Sequence, residues 1–290
     1  MNNIMKEIYS IGIDIGASHI GIGIVNPNTG EIITKEYIMI KINGDKNLLI
    51  KNLIDAINII LAKADLSIKN IDKIGIGCPG DCDIKQGIII IAPNMNLQNV
   101  SIKEEIQKNF SVDVRIQNDA SCAIVGEYYF GCLKNIKDEC ILITLGTGVG
   151  FASINEKREL LGIKSCNELA GIFRRAYSPE NHMHNTGSLS FLQKEYSEYV
   201  KQGVSRYEIF ENIRKGDDGA ICFFEKYLAD VARAIESLEK HTNIKNYCIG
   251  GGISEYEDIF SNKLKRKLPS INLYISKFKN DSAIIGAAIL

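Results

Sequence analysis

Two glycine turns, each following an aliphatic run, stand about half a chain apart: Ile11-Gly12-Ile13-Asp14-Ile15-Gly16-Ala17-Ser18 and Ile141-Leu142-Ile143-Thr144-Leu145-Gly146-Thr147-Gly148-Val149-Gly150. Backbone N–H groups approach phosphate oxygens where no Cβ intervenes, so a strand, a glycine turn and a second strand outline a phosphate cradle. Either turn alone is weak evidence, because a plain glycine-rich hairpin reads the same way. Repeated in both halves, the unit predicts one cradle on each of two lobes and a nucleoside triphosphate gripped between them.

The bulk properties narrow the class. A chain of 290 residues holds two modest domains or one large one. With 45% hydrophobic and 24% charged residues, it has no need of a disordered or fibrous description. A net charge of −1 with interspersed signs argues against a nucleic-acid partner. The basic group Lys263, Lys265, Arg266 and Lys267 reads as a solvated helix face. The eight cysteines contain no CxxC pair and several sit in apolar runs, as expected of reduced, mostly buried thiols. Met1–Glu7 shows no secretory core, and no apolar stretch nears the roughly 20 residues of a membrane helix. The expectation is a cytoplasmic protein without a membrane or nucleic-acid partner.

Along the chain, Ile8–Asp14, Gly21–Val25 and Glu31–Ile40 read as three strands, with Asn26-Pro27-Asn28-Thr29-Gly30 as a turn. Leu49, Ile50, Leu53, Ile54, Ile57 and Leu61 recur at helical spacing within Lys46–Ala64. A strand at Lys73–Gly77 and a turn at Cys78-Pro79-Gly80-Asp81 follow. Then come a helix at Ser101–Phe110 with Ser101 and Glu104 as a capping box, a strand at Val112–Ile116 and a helix at Asp119–Phe130. The second half reads as strands Cys140–Leu145, Val149–Ile154 and Glu159–Ile163, then an irregular stretch to Thr186. Helices follow at Ser188–Lys201, Tyr207–Arg214 and Ala220–His241. Strand Tyr247–Ile249, a helix through Lys267, strand Leu273–Ser276 and helix Ser282–Leu290 complete it. A β-β-β-α-β-α-β-α order occurring twice predicts two mixed sheets flanked by helices, with a cleft between.

Taken together, Asp14-Ile15-Gly16-Ala17-Ser18, Gly77-Cys78-Pro79-Gly80, Gln117-Asn118-Asp119-Ala120, Leu145–Gly150 and Ile249-Gly250-Gly251-Gly252 resemble the ROK family of repressors, open reading frames and sugar kinases. The resemblance spans nearly the whole chain, with the motifs in family order. It implies the α/β actin-like (ribonuclease-H-like) ATPase fold, with an N-terminal lobe of residues 1–118 joined by a C-terminal helix 280–290, and a larger lobe of 119–279. It implies ATP and Mg²⁺ as cofactors and a homodimer. Asp119 becomes the group that receives the proton of the attacking sugar hydroxyl, though Asn118 and Asp119 equally suit a helix cap. Asp14 becomes a water-mediated Mg²⁺ ligand, or simply a strand-end cap. Gly16, Ala17, Ser18, Gly146, Thr147 and Gly148 face the phosphates, and Gly250, Gly251 and Gly252 bare the backbone to adenosine. Asn118, Glu168, Gly80 and Asn94 are the implied sugar contacts.

The chain also departs from the family. Ser18-His19 stands where members often carry Thr-Lys, and Phe151-Ala152 replaces the usual glycines after the second cradle. The family's zinc segment is missing: Gly171 stands where a histidine is usual, and His182, His184 and Cys166 offer at most three of the four ligands zinc wants. No zinc is expected. A second sugar-binding glutamate is absent as well. The resemblance is therefore to the zinc-free subset, with N-acetylmannosamine as first substrate, glucose second and a β-glucoside third. The rivals are a sugar-sensing repressor, disfavoured because only seven residues precede the first strand, and a catalytically lapsed sugar-binding protein.

Overall fold

Strands in which isoleucine alternates with glycine set the architecture. The computed structural model describes residues 8–178 and 186–290. The chain divides into one unit running to Lys134 and resuming at Asp281–Leu290, and a second of Asn135–Asn280. The first unit holds β1 (Tyr9–Ile15), β2 (His19–Val25), β3 (Ile32–Met39), α1 (Lys46–Lys63), β4 (Ile71–Cys78), β5 (Asp81–Asp83), β6 (Ile88–Ala92), β7 (Leu97–Val100), α2 (Ile102–Gln107), β8 (Asp113–Asn118) and α3 (Asp119–Tyr129). The second holds β9 (Cys140–Leu145), β10 (Val149–Ile154), α4 (Ile163–Tyr177), α5 (Leu189–Val200), α6 (Arg206–Arg214), α7 (Asp218–Thr242), β11 (Asn246–Gly250), α8 (Glu257–Lys267) and β12 (Asn272–Ile275). Helix α9 (Ser282–Ala288) belongs to the first unit.

The main sheet of the first unit has the order β3-β2-β1-β4-β8, with β1, β4 and β8 parallel and β2 antiparallel to both its neighbours. Side chains alternate faces along a strand. Ile11, Ile13, Ile20, Ile22, Ile74 and Ile76 therefore share one face, fully buried in the same core as Leu49, Leu53 and Ile57 of α1. The opposite face carries Gly12, which pairs with Gly23 of β2 and Gly75 of β4. On that bare strip lies α9. A Cβ added at Gly12 would stand 1.9 Å from the Ile284 carbonyl oxygen, and one at Gly75 would stand 1.7 Å from that of Ala287. The helix answers in kind: a Cβ at Gly286 would meet the Cys122 carbonyl oxygen of α3 at 1.7 Å. Backbone packs on backbone through three layers.

Polar contacts fasten the same helix. Tyr37 Oη donates to Asp281 Oδ1 at 2.6 Å, and Lys73 and Arg115 both donate to the Leu290 carbonyl at 2.8 Å. Glu127, wholly buried on α3, accepts from Ser282 Oγ at 2.7 Å and from the Cys132 N–H at 2.9 Å. This packing moves the expected lobe boundary. Sequence reading placed the break at 118/119, but α3 is sandwiched with α9 against the sheet, so the first unit continues to Lys134.

Three further expectations change. Residues 81–100 form a small antiparallel sheet, β5-β6-β7, which sequence reading left without strands. Its strands are short, and Ile88-Ile89-Ile90-Ile91 lacks the alternation that marks a half-buried strand. The Ser101 side chain makes no cap hydrogen bond and α2 ends at Gln107, whereas Ser205 and Glu208 form a capping box at the start of α6. In the second unit, Glu159–Ile163 gives only a single bridge, Ile154 to Leu160, and the supposed irregular stretch is largely α4. Cys166, Leu169, Ala170, Phe173 and Tyr177 of α4 are buried at helical spacing, with the Phe173 ring 5.4 Å from that of Phe151.

The sheet of the second unit therefore has the order β10-β9-β11-β12, with β9, β11 and β12 parallel. Helix α7 starts where Asp217 accepts the Ala220 N–H at 2.7 Å and stops at Asn243, a left-handed residue. It buries Phe224, Tyr227, Leu228, Val231 and Ile235. Among the described residues, no helix is long and apolar enough to cross a membrane.

Substituting Gly75→Ala is expected to cost about 3 kcal/mol or more, the upper range for overpacking, because the clash is with backbone that cannot rotate away. Urea unfolding measures it; a midpoint within error of the parent protein refutes the account of the glycine strip.

Candidate functional site

Three parallel strands end side by side in the first unit. Asp14 on β1 pairs with Gly77 on β4, Gly77 with Gln117 on β8, and Cys78 with Asn118. Crevices beyond the carboxyl ends of parallel strands are the usual ligand positions in α/β sheets. Asp119 opens α3 directly after β8. Helix α3 begins close to β4: a Cβ at Gly77 would stand 3.5 Å from the Asp119 Cα and 3.4 Å from Cys122 Sγ, in ordinary contact with both.

The cap and the candidate proton acceptor are neighbours. Asn118 Oδ1 accepts the Ser121 N–H at 3.2 Å, while its amide nitrogen donates to the Gly80 carbonyl at 3.1 Å. Asp119 Oδ1 accepts the Ala120 N–H at 2.8 Å. The capping alternative is thus realised mainly by Asn118. Gly80 has φ +73°, and a Cβ there would lie 2.2 Å from the Ile91 oxygen, so this turn needs glycine. Ala92 lies against the same turn, and Asn94 follows two residues later, exposed.

Burial dominates the electrostatics. It pushes the Asp14 carboxyl up to about 7, with the Asp119 charge adding to the effect. Burial likewise lifts Asp119 to about 6, against the lowering pull of its Ala120 and Asn118 hydrogen bonds. The Asp14 carboxylate has no hydrogen-bond or ion-pair partner among the described residues. Two half-buried carboxylates that resist ionising together suit a divalent cation, which relieves both penalties at once. The donor chemistry fits Mg²⁺, which takes carboxylate and water oxygens.

In the β1–β2 turn, the Gly16 N–H is spent on the His19 carbonyl at 2.9 Å, while Ala17 and Ser18 are exposed. His19 Nδ1 lies 3.3 Å from Ser18 Oγ, and burial lowers the imidazole pKa.

The second unit brings its own two glycine segments together. β9 and β11 run parallel with Thr144 opposite Gly250, so the Gly146-Thr147-Gly148 turn adjoins Gly250-Gly251-Gly252. The space a Cβ would fill at Gly252 is 3.9 Å from the Gly146 Cα, and Gly251 has φ +76°. Helix α5 starts on the same turn: the Leu189 N–H donates to the Gly146 carbonyl at 2.9 Å, and Ser188 caps by accepting the Phe191 N–H at 3.0 Å. Arg206 Nη2 donates to Ser190 Oγ at 2.6 Å. Sequence reading passed over Arg206, whose only signal was an arginine directly after the capping Ser205.

Glu168 lies on the exposed face of α4, a helix rather than the expected loop. Cys166 is buried with its thiol 3.9 Å from the Leu161 carbonyl. His182 and His184 lie outside the described residues. Among those described, no three His, Cys, Asp or Glu side chains are placed to hold a metal together.

A pH-dependent stability follows from the two raised carboxyls. In metal-free protein the native state holds protons that the unfolded state has released between pH 4 and 7, so this contribution is lost as pH rises through that window. Asp14→Asn removes one such group and should stabilise the metal-free protein by on the order of 2 kcal/mol at pH 8, with little gain at pH 4. Urea unfolding in chelator across this range tests it; a gap that does not widen with pH refutes it.

Comparison with known proteins places the chain. The family model described as "ROK family" matches residues 10–168 and 185–290. A xylose repressor from Caldicellulosiruptor bescii is 29% identical over 322 residues, 97% of this chain and 77% of that protein. A glucokinase from Thermotoga maritima is 26% identical over 317 residues, 98% of this chain and 97% of that one. The structure of a candidate N-acetylmannosamine kinase from Listeria monocytogenes superposes with a TM-score of 0.78 at 23% identity, covering 97% of each chain. The fold is the α/β actin-like, ribonuclease-H-like ATPase fold shared with such neighbours.

Proposed function

This chain belongs to the ROK family, and we propose that it is an ATP-dependent kinase that phosphorylates the 6-hydroxyl of a hexose or N-acetylhexosamine. The observation that carries the reading is the pair Asp14 and Asp119, half-buried and unpaired by any cation where β1 and β8 end. The glucokinase relative supports sugar phosphorylation, and the Listeria neighbour supports N-acetylmannosamine as first choice over glucose, with a β-glucoside third.

In this reading Asp119 orients the sugar hydroxyl and receives its proton late, after the bond to phosphorus has begun to form. A carboxyl raised to about 6 is a better late acceptor near neutrality than one at its ordinary 3.8. Asp14 would hold a magnesium ion, which when bound would supply charge neutralisation on the phosphates. Ala17 and Ser18 offer exposed backbone and a hydroxyl to them, Thr147 and Gly148 offer N–H groups from a turn closed by the Gly146 N–H on the Gly148 carbonyl, and Gly250–Gly252 leave room for the nucleoside. Asn118, Gly80, Asn94 and Glu168 contact the sugar, with Asn118 also holding the turn through its bond to the Gly80 carbonyl. We propose a homodimer in the cytoplasm.

The experiment is ADP release measured across a panel of hexoses and N-acetylhexosamines. Asp119→Asn is expected to lower kcat by on the order of 10²–10⁴-fold while sugar affinity changes little. Unimpaired turnover by that variant removes Asp119 as proton acceptor. The xylose repressor relative motivates a second reading, a sugar sensor. Binding of a sugar by calorimetry with no ADP release from any of the panel would favour it.

A further inference from the structure

One carboxylate near Asp119 has no task in the account above. Asp81 is the first residue of β5, half-buried, and its side chain has no hydrogen-bond or ion-pair partner among the described residues. Its neighbour Asp83 is occupied, accepting the Gln86 N–H at 2.9 Å. The backbone on either side of Asp81 is fixed. Gly80 is held through its carbonyl by Asn118, the residue before Asp119, and Asp81 itself pairs with Ile91 of β6. Burial, and then the Asp119, Asp81 and Asp83 carboxylates, push the adjacent Cys82 thiol up to about 11.

We propose that Asp81 is a specificity-determining residue of the acceptor pocket, its carboxylate accepting hydrogen bonds from hydroxyls of the bound sugar. A carboxylate offers two acceptor oxygens and no donor, so it suits adjacent hydroxyls or an amino substituent and repels an anionic acceptor. The turn that carries it is built around Gly80 and tied to Asn118, which gives the side chain a fixed origin beside the group that takes the proton. The hydrogen bonds it forms with sugar replace those it made with water, so its contribution is to selectivity among sugars. The proposal rests on the sugar-kinase reading and extends it to a position for which sequence reading predicted only a turn.

The test compares wild type with Asp81→Asn and Asp81→Ala on the best sugar and on its singly deoxygenated analogues. Asp81→Ala is expected to raise KM for the parent sugar about tenfold or more, with the KM for ATP and kcat within about twofold. For the analogue lacking the contacted hydroxyl, wild type and variant should converge. Retained kcat shows that the variant folds. An unchanged sugar KM, an equal rise for every analogue, or a matching rise in the KM for ATP overturns the proposal. Should wild type release no ADP with any sugar yet bind one by calorimetry, the kinase reading fails and the same comparison, made on Kd, decides Asp81. Should it bind none, both fall.

Discussion

The close seating of α9 on the glycine strip of β1, β2 and β4 is the contact on which the rest of the first unit depends. A helix normally rests on a sheet through side chains, at about 10 Å; here two strands and two helices touch through their main chains. The gain is dispersion over long stretches of backbone, and the cost is that four positions tolerate no Cβ. The candidate site residues inherit this geometry. Asp14 lies two residues beyond Gly12 on the same face of β1, Gly77 two beyond Gly75 on β4, and Cys122, whose carbonyl abuts Gly286, lies one turn into the helix that Asp119 opens.

That arrangement brings two carboxylates into a setting that favours neither as an anion. Half-burial leaves them only partly solvated, and among the described residues no arginine or lysine pairs with either. Instead Asp119 is given only short-range help, from the Ala120 N–H and Asn118, and Asp14 is given none. Carboxylates left uncompensated at the carboxyl edge of a sheet carry an electrostatic penalty that a bound cation would relieve.

Much of this was legible in the amino-acid order, for identifiable reasons. Strands β1, β2, β4, β9 and β11 are strong because isoleucine, leucine and glycine recur with unmistakable runs, and α1 and α7 because their apolar residues keep helical spacing. The Asn118 cap was readable as one of two roles for an Asn-Asp pair, and the structure shows it alongside Asp119. What escaped was non-local. The β5-β6-β7 sheet rests on pairing between short strands, α4 was hidden by polar residues on its outer face, and the depth of α3 in the first unit follows from Gly126 meeting Gly286 of α9, some 160 residues later. The strand expected at Glu159–Ile163 gave way because Leu160 contributes a lone bridge before the chain turns into α4.

The buried Glu127 carboxylate ties down the chain on both sides of the excursion into the second unit, holding Cys132 just before the departure and Ser282 just after the return. During synthesis this imposes a schedule. Strand β1 leaves the ribosome early, yet the helix that covers its glycine face emerges roughly 270 residues later, a delay on the order of tens of seconds at ordinary elongation rates. For that interval the nascent sheet has one finished side and one open groove of bare main chain, and the carboxylate waits for its serine. The first-made half of the molecule is thus among the last to be completed, and chaperone binding to emerging chains should concentrate on that groove.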